Sequence, residues 1–255
     1  MDDHFTFLKE KLIAECKQTP VYFFQNKGNW GDALIRQGTI SFLNDIGIKY
    51  KELTRQKKDW VLPFLKGGTL IYGGGGAWCK YWDRSKTVKK LSRRFKLIIL
   101  PSTYEKNFKL KNTTFFCRDR FESKKNIPES YFCHDMAFYI NKACKNKTKF
   151  ENGFFFRTDK ETANTLSIPS NNNDISKKGN HLSNTDALFN EINRYHKIYT
   201  DRLHVSIAGA LLKKEVHLYP NAYFKNKAIY KSSIKGYYEN FYFHEQFDFK
   251  DTNHL

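Results

Sequence analysis

Residues 21 to 32, with the sequence VYFFQNKGNWGD, decide the fold. Residues 21–24 form a short apolar run that predicts a buried strand. The glycines of the following GNWGD loop, residues 28–32, allow a tight turn, and Asp32 is a suitable cap for a helix that stops at Gly47. A strand, a glycine loop and a helix in this order form the repeating unit of a doubly wound α/β sheet.

The same alternation of strands and helices continues to residue 219. We therefore predict an α/β fold of two Rossmann-like lobes, with mostly parallel sheets that face a cleft. The N-terminal lobe takes residues 1–140 and a smaller C-terminal lobe takes residues 141–255, and one continuous sheet is the alternative. The other predicted strands are residues 69–72, 96–100, 114–117 and 215–219, and the other predicted helices are residues 85–95, 185–195 and 203–212.

Three local features carry expectations of their own. Pro101 is expected to end the strand before it, because proline has no backbone N–H to donate. The lysine-rich stretch 141–149 is a suitable crossing between the lobes. The polar stretch 170–180, SNNNDISKKGN, has the composition of a solvated loop.

The bulk composition is that of a globular and basic protein. Of its 255 residues, 40% are hydrophobic and 16% are aromatic, which excludes a disordered chain. Lys and Arg number 44 against 26 Asp and Glu, so the net charge is +18. Such a charge attracts polyphosphates, nucleic acids, acidic sugars or anionic lipids, and it does not distinguish among them.

The N-terminus and the cysteines indicate a cytoplasmic protein. The N-terminal stretch is charged throughout and lacks the apolar core of a signal peptide, and no apolar run is long enough to span a bilayer. The cysteines are odd in number and include no CxxC pair, so we expect free thiols and neither a disulfide scaffold nor a zinc site. They are Cys16, Cys79, Cys117, Cys133 and Cys144.

The GNWGD loop is the first candidate for ligand binding. In open α/β sheets ligands lie at the carboxyl ends of strands, which is where Gly28, Asn29 and Gly31 fall. The N–H groups of the helix that follows favour an anion. The alternative is structural: the glycines only turn the chain and Asp32 only caps the helix.

A run of four glycines, residues 73–76, is the second candidate. Its backbone N–H groups can form a concave site for an anion, with Gly74 and Gly75 at its centre. A flexible hinge is the alternative. The GNWGD loop of the first candidate has the spacing of neither a dinucleotide-binding loop nor a P-loop.

The third candidate is the TDRLH stretch at a predicted strand-to-helix junction, residues 200–204. Arg202 offers a rigid fork for carboxylate or phosphate, and His204 can carry a proton near neutral pH. The alternative is that Arg202 pairs only with Asp201 across the helix terminus.

Three weaker signals follow other predicted strands. Arg118 and Arg120 offer a second guanidinium for the cleft or form a solvated salt-bridge cluster. Asp135 after His134 is a candidate turn or cap residue. The stretch 221–227, which includes Asn221 and Lys225, is either a loop over the cleft or basic surface.

In this order, these stretches resemble the polysaccharide pyruvyl transferase family, over residues 20 to 235. The most specific part is TDRLH with the small-residue helix, the strand and the N-x-Y-x-K-N loop after it, the loop being residues 221–226. The Arg-containing segment is one residue longer here, so Arg118 and Arg120 are both candidates for its arginine. The other matching motifs are the G-N-x-G-D loop at residues 28–32, the glycine turn at residues 72–76, the proline-ended strand at residues 98–101, the Arg-containing segment at residues 118–123 and D-x-A-F at residues 135–138.

The resemblance implies a GT-B-like fold and a transferase that moves the pyruvyl group of phosphoenolpyruvate onto a sugar of a surface polysaccharide or its lipid-linked precursor, forming a ketal. Asp32 and His204 are then the catalytic pair, and which is the acid and which the base is open. The chemistry requires no metal and no cofactor besides phosphoenolpyruvate as donor substrate. The residues assigned to substrate binding are Arg202, Leu203, Arg118, Gly28, Asn29, Gly31, Gly74, Gly75, Asn221 and Lys225.

Two other functions are compatible with the sequence. A nucleotide-sugar glycosyltransferase of the same shape needs an acidic ribose contact, for which the C-terminal lobe offers no clear candidate. A non-catalytic polyanion-binding protein would explain the charge, but the basic residues are scattered and no nucleic-acid-binding signature is present. The charge also suggests peripheral contact with anionic lipid at the inner face of the cell membrane.

Overall fold

The computed structural model describes residues 2–17, 19–53, 67–141, 148–163 and 168–247. These residues form two β-sheets with helices between the strands, and the strands of the first sheet all precede those of the second in the chain. Neighbouring strands are parallel in all but one pair. The predicted α/β fold with mostly parallel sheets is therefore confirmed.

The first sheet contains eight strands within the described residues. They are β1 (Val21–Phe24), β2 (Lys51–Glu52), β3 (Thr69–Tyr72), β4 (Gly75–Cys79), β5 (Trp82–Asp83), β6 (Lys96–Tyr104), β7 (Thr113–Cys117) and β8 (Tyr131–Phe132). The parallel strands lie in the order β2-β1-β3-β6-β7-β8, and β4 pairs with the carboxyl half of β6 and antiparallel with β5. Strands β1 and β3 are buried along their whole length, as apolar runs in a parallel sheet require.

Strand β6 continues through Pro101, so the prediction that this proline ends the strand was wrong. Its pairing with β7 shifts register between Ile99 and Ser102, and Pro101 lies inside that interval. A residue without an N–H is tolerated where the ladder is already irregular. The extended strand carries Thr103, whose hydroxyl accepts a hydrogen bond from Nε of Arg118 at 2.8 Å.

Over the part of the chain that the structure describes, the second sheet has four parallel strands, in the order β12-β11-β10-β9. They are β9 (Phe150–Phe154), β10 (Tyr195–Thr200), β11 (Glu215–Leu218) and β12 (Phe241–Phe243). Because the two sheets are separate, the alternative of one continuous sheet was wrong. The lobe boundary at residues 140 and 141 stays a prediction, and residues 142–147 of the proposed crossing lie outside the described residues.

Helices connect the strands, and α2 follows β1 as predicted. Its buried face includes Ile35, Phe42 and Leu43, and it ends before Gly47, whose φ of +72° is favourable for glycine. The helix after Asp83 is shorter than predicted and ends at Leu91. Among the described residues the α-helices are α1 (Asp2–Cys16), α2 (Trp30–Asp45), α3 (Ser85–Leu91), α4 (Glu122–Asn126), α5 (Asp186–Asn193), α6 (Leu203–Leu211) and α7 (Lys225–Ile229).

One hydrophobic core joins the two sheets. Ile71 and Ile98 of the first sheet belong to the same buried cluster as Ile198 and Val216 of the second. Each such side chain contributes roughly 2 kcal/mol on burial, so the shared core fixes the two sheets relative to each other. The carboxyl ends of their strands therefore meet in a defined arrangement.

The described residues also bear on two expectations from the sequence. None of their helices combines the length and the apolarity that a bilayer crossing requires. Cys16, Cys79, Cys117 and Cys133 are free thiols, as expected, and Cys144 lies outside the described residues.

Candidate active site

A cleft of about 640 Å³ lies between the two sheets, at the carboxyl ends of their strands. This is where open α/β sheets bind ligands. Eight of the residues predicted from the sequence line it together, although they come from opposite ends of the chain. They are Gly28, Asn29, Asp32, Arg118, Arg202, Leu203, His204 and Lys225.

The other four predicted residues lie beside the cleft and do not line it. Gly31 packs against His204, and a side chain there would collide with the imidazole. Gly74 packs against the carbonyl of Pro101. Asn221 is buried and accepts a hydrogen bond from the Asn226 N–H at 3.3 Å.

The four-glycine run is only partly a loop. Gly75 and Gly76 begin β4, and Gly75 has a φ of +117°, which other residues rarely adopt. The side-chain amide of Asn26 donates to the carbonyls of Gly73 and Gly74, at 2.7 and 3.2 Å. Among the four glycines, Gly76 is the one that lines the cleft.

The GNWGD loop forms a capping box at the start of α2. The N-cap residue is Asn29 and not Asp32, because Oδ1 of Asn29 accepts a hydrogen bond from the Gly31 N–H at 2.8 Å. Asp32 completes the box, because its Oδ2 accepts from the Asn29 N–H at 3.0 Å. Gly28 has no side chain to obstruct that carboxylate. Asp32 thus holds the loop together and also presents its carboxyl group to the cleft.

A buried carboxylate, Asp135, links the residues of the first sheet to those of the second. It accepts a hydrogen bond from Nη1 of Arg118 at 2.6 Å, and the same oxygen lies 3.5 Å from Nε2 of His204. Asp135 and Arg118 are almost fully buried, whereas His204 remains partly exposed to the cleft. The second guanidinium contact of Arg118 goes to Thr103, from Nε at 2.8 Å.

The pKa values of Asp32, which lines the cleft, and of the buried Asp135 are shifted in opposite directions. Burial raises the pKa of Asp32, and the nearby His204 offsets only part of that effect. Burial alone would also raise the pKa of Asp135, but His204 and Arg118 together hold it well below its ordinary value. A pair of acids with separated pKa values is a common basis for dividing acid and base roles.

The structure distinguishes the two arginine candidates of the first sheet. Arg118 lines the cleft, whereas Arg120 lies outside it. The guanidinium of Arg120 bonds to His4 of α1 at 2.5 Å and lies 4.1 Å from the ring centre of Phe132. Arg120 therefore holds α1 in place, and Arg118 is the candidate for ligand binding.

Arg202 is held by two carboxylates, and neither belongs to Asp201. Its Nε and Nη2 donate to Asp174 at 2.9 and 2.6 Å, and its Nη1 lies 2.8 Å from Asp159. The interpretation of residues 170–180 as a solvated loop was therefore wrong in part. Asp174 in that stretch orients Arg202, and Ile175 after it is buried in the core.

A second group of ion pairs lines the same cleft and is joined to Arg202 through Asp159. Glu161 accepts from Nη1 of Arg157 at 2.9 Å and from Nζ of Lys225 at 2.7 Å. It also accepts from the indole of Trp82 at 2.7 Å, which ties the β4–β5 hairpin to the segment that follows β9. Arg157 in turn donates to Asp159 at 2.9 Å. The wall is therefore fixed before any ligand enters.

The cleft as a whole is positively charged. Among the described residues that line it are seven Lys or Arg and three Asp or Glu, so an anionic ligand is favoured. Within the described ranges, no three His, Cys, Asp or Glu side chains are grouped as metal ligands would be.

Comparison with known proteins identifies the family. The sequence model of polysaccharide pyruvyl transferases matches residues 29–223, which is most of the chain and runs from the GNWGD loop to the loop after β11. The chain belongs to the polysaccharide pyruvyl transferase family. It is therefore a transferase, and the resemblance seen in the sequence is confirmed.

A solved structure supports the fold of this family member. A functionally uncharacterised protein from Klebsiella pneumoniae subsp. pneumoniae NTUH-K2044 superposes with a TM-score of 0.78 at 24% sequence identity. The match covers 96% of this chain and 100% of that one. At this identity the likeness concerns the fold alone. No curated protein sequence matches the chain.

Sequence reasoning missed several residues of this pyruvyl transferase cleft. Arg157 follows the apolar run 153–156, just as Arg118 follows β7, so the same signal could have found it. The pairing of Asp135 with His204 joins residues far apart in the chain and has no local signal. The other lining residues that were missed are Asn26, Lys27, Trp82, Arg84, Asp159, Glu161, Ser176, Lys177 and Gly179.

Asp201 of the TDRLH motif gives this pyruvyl transferase a predicted pH dependence. Asp201 is fully buried, and burial raises its pKa to about 7 although the Arg157 N–H bonds to it at 2.7 Å. The carboxyl group of Asp201 therefore holds its proton more tightly in the folded protein than in the unfolded chain. Its contribution to the free energy of unfolding should fall as pH rises from about 4 to 7, by about 1 kcal/mol per pH unit. In Asp201→Asn the contribution of this carboxyl group to the decline should be absent, so the decline should be shallower. Urea unfolding of both proteins across this range measures it, and parallel stability curves would contradict the assignment.

Proposed function

We propose that this transferase moves the pyruvyl group of phosphoenolpyruvate onto two hydroxyls of a sugar in a surface polysaccharide or its lipid-linked precursor, forming a ketal. The observation that carries the proposal is the meeting of Arg118, Asp135 and His204 with Asp32 in one positively charged cleft. The donor carries a carboxylate and a phosphate, and arginine forks are suited to both groups.

The donor is assigned to the centre of the cleft. Nε and Nη1 of Arg118 are engaged by Thr103 and Asp135, so Nη2 is the part of the guanidinium directed to a ligand. Arg202 is oriented by Asp174 and Asp159, which bind three of its five N–H groups and leave two for an anion. Leu203 adds an apolar surface between Arg202 and His204.

The reaction requires two hydroxyl protons to be moved. The methylene carbon of the donor gains one proton as the first hydroxyl bonds to C2. The second hydroxyl then bonds to C2 as the C–O bond to phosphate breaks, and the second proton leaves with the phosphate. Asp32, with its raised pKa, is assigned to the acceptor hydroxyl. His204, oriented by ionised Asp135, is assigned to the donor.

The arrangement of carboxylates favours this reaction over transfer from a nucleotide sugar. A nucleotide sugar needs a carboxylate free to bind the ribose hydroxyls. Between β9 and β10, Asp159 and Glu161 line the cleft and Asp174 lies behind Arg202, and these three described carboxylates are all bonded to arginine or lysine. A ribose would have to break one of these ion pairs.

Turnover by the wild-type protein tests the proposal. Incubation with phosphoenolpyruvate and a panel of glycans should release inorganic phosphate and add the mass of a pyruvyl group to one glycan. Phosphoenolpyruvate should also raise the melting temperature more than a nucleoside diphosphate does, because only a ligand of the folded state stabilises it. Stabilisation by the nucleotide alone, without phosphate release, would favour the glycosyltransferase instead.

A further inference from the structure

An exposed aromatic side chain lies in the wall of the cleft formed by the β4–β5 hairpin. Trp82 of β5 lines the cleft and is 45% exposed, which is unusual for so large an apolar side chain. Its position is fixed, since the indole N–H donates to Glu161 at 2.7 Å and Nζ of Lys160 lies 4.2 Å from the ring centre. A rigid and exposed indole is a suitable surface for the C–H face of a sugar ring.

Two cationic side chains that line the cleft differ from its other Lys and Arg side chains in their lack of a partner among the described residues. Arg118, Arg202 and Lys225 are each bonded to a carboxylate. Lys27 and Arg84 also line the cleft, and within the described ranges neither side chain has an ion-pair or hydrogen-bond partner. A cation held at the wall of a cleft without a partner is available to an anionic ligand.

These two cations also line a smaller recess that opens beside the main cleft. The recess has a volume of about 90 Å³, and its walls include Tyr72, Thr87 and His181 besides Lys27 and Arg84. Nδ1 of His181 is buried there without a hydrogen-bond partner among the described residues. The recess therefore offers two positive charges to a ligand.

The recess adjoins the carboxyl group assigned to the acceptor hydroxyl. Lys27 precedes Gly28, and Gly28 contacts the carboxylate of Asp32. Asp32 and Trp82 line the same cleft, and the recess shares Lys27 and Arg84 with that cleft. The donor-binding residues Arg118, Arg202 and His204 do not line the recess.

We propose that Trp82, Arg84 and Lys27 form the acceptor subsite, and that the acceptor is a sugar carrying a phosphate ester. The sugar ring stacks on Trp82 and its phosphate enters the recess between Arg84 and Lys27. The assignment rests on the proposed function, since it takes the cleft to be that of a pyruvyl transferase. A free sugar phosphate and a lipid-linked sugar diphosphate share this chemistry.

Binding of sugar phosphates in the presence of phosphoenolpyruvate tests the subsite. Isothermal titration compares galactose, glucose and mannose 1-phosphates with their methyl glycosides, and a farnesyl diphosphate-linked hexose represents the lipid-linked form. At least one phosphate should bind more tightly than its glycoside. Arg84→Gln and Lys27→Gln should each weaken that binding about tenfold or more, because a charge-assisted hydrogen bond is lost, whereas Kd for phosphoenolpyruvate should stay within about twofold.

Two further variants separate the parts of the subsite. Trp82→Ala should weaken the binding of phosphates and glycosides alike, and Trp82→Phe should restore part of it. Lys86→Gln, an exposed residue of α3 outside the cleft, is the matched control and should change nothing. Equal binding of phosphates and glycosides, no binding of either, or unchanged binding in Arg84→Gln would overturn the subsite. If phosphate is still released from phosphoenolpyruvate with a neutral glycan, the proposed function stands.

Discussion

Replacing His204 with alanine is expected to lower kcat for pyruvyl transfer by about a hundredfold to ten-thousandfold, the usual contribution of a positioned acid or base. The fold should be little affected. His204 is partly exposed to the cleft, and Asp135 keeps its hydrogen bond to Arg118 when the imidazole is removed. The free energy of unfolding should therefore change by about 1 kcal/mol or less. Phosphate release at saturating donor and urea unfolding measure the two effects.

A second histidine serves as the control for this prediction. His196 of β10 is exposed and does not line the cleft, so His196→Ala should retain full activity. Full activity of His204→Ala would remove His204 from the chemistry. A large loss of stability in that variant would instead assign it a structural role.

Much of the fold was predictable because its signals are local. The apolar run of β1, the glycine turn and the periodic face of α2 are contiguous, and each is explained by residues a few positions apart. The error at Pro101 has a tertiary cause, since the shifted pairing of β6 with β7 accommodates a residue that usually ends a strand. Local rules contain no information about such pairing.

The site was predictable to the extent that its residues directly follow strands. Arg118 and Arg202 were found in this way. Asp174 was not, because it belongs to a polar stretch whose composition is that of a loop, and its role depends on the distant Arg202. The composition of a segment indicates whether it is exposed to solvent. Only the tertiary structure shows which side chain a given charge pairs with.

The ion pair of Arg118 and Asp135 is expected to give the largest stability effects. Both side chains are almost fully buried, so removing one leaves the other charge without its partner in a water-poor site. Arg118→Met and Asp135→Asn should each lower the free energy of unfolding by about 3 to 5 kcal/mol. The half-exposed pair of Arg36 and Glu52 is the control, and breaking it with Arg36→Met should cost about 1 kcal/mol or less.

Combining the two substitutions separates stability from catalysis. In the double variant Arg118→Met/Asp135→Asn no buried charge is left unpaired, so most of the lost stability should return, and urea unfolding of the four proteins gives the coupling energy. Activity should not return, because Arg118 is assigned to the donor and Asp135 to the orientation of His204. Additive losses of stability would show that the pair is not coupled, and recovery of turnover with stability would mean that the pair only supports the fold. Low activity in a stable double variant is the result that places these two residues in the chemistry of the cleft.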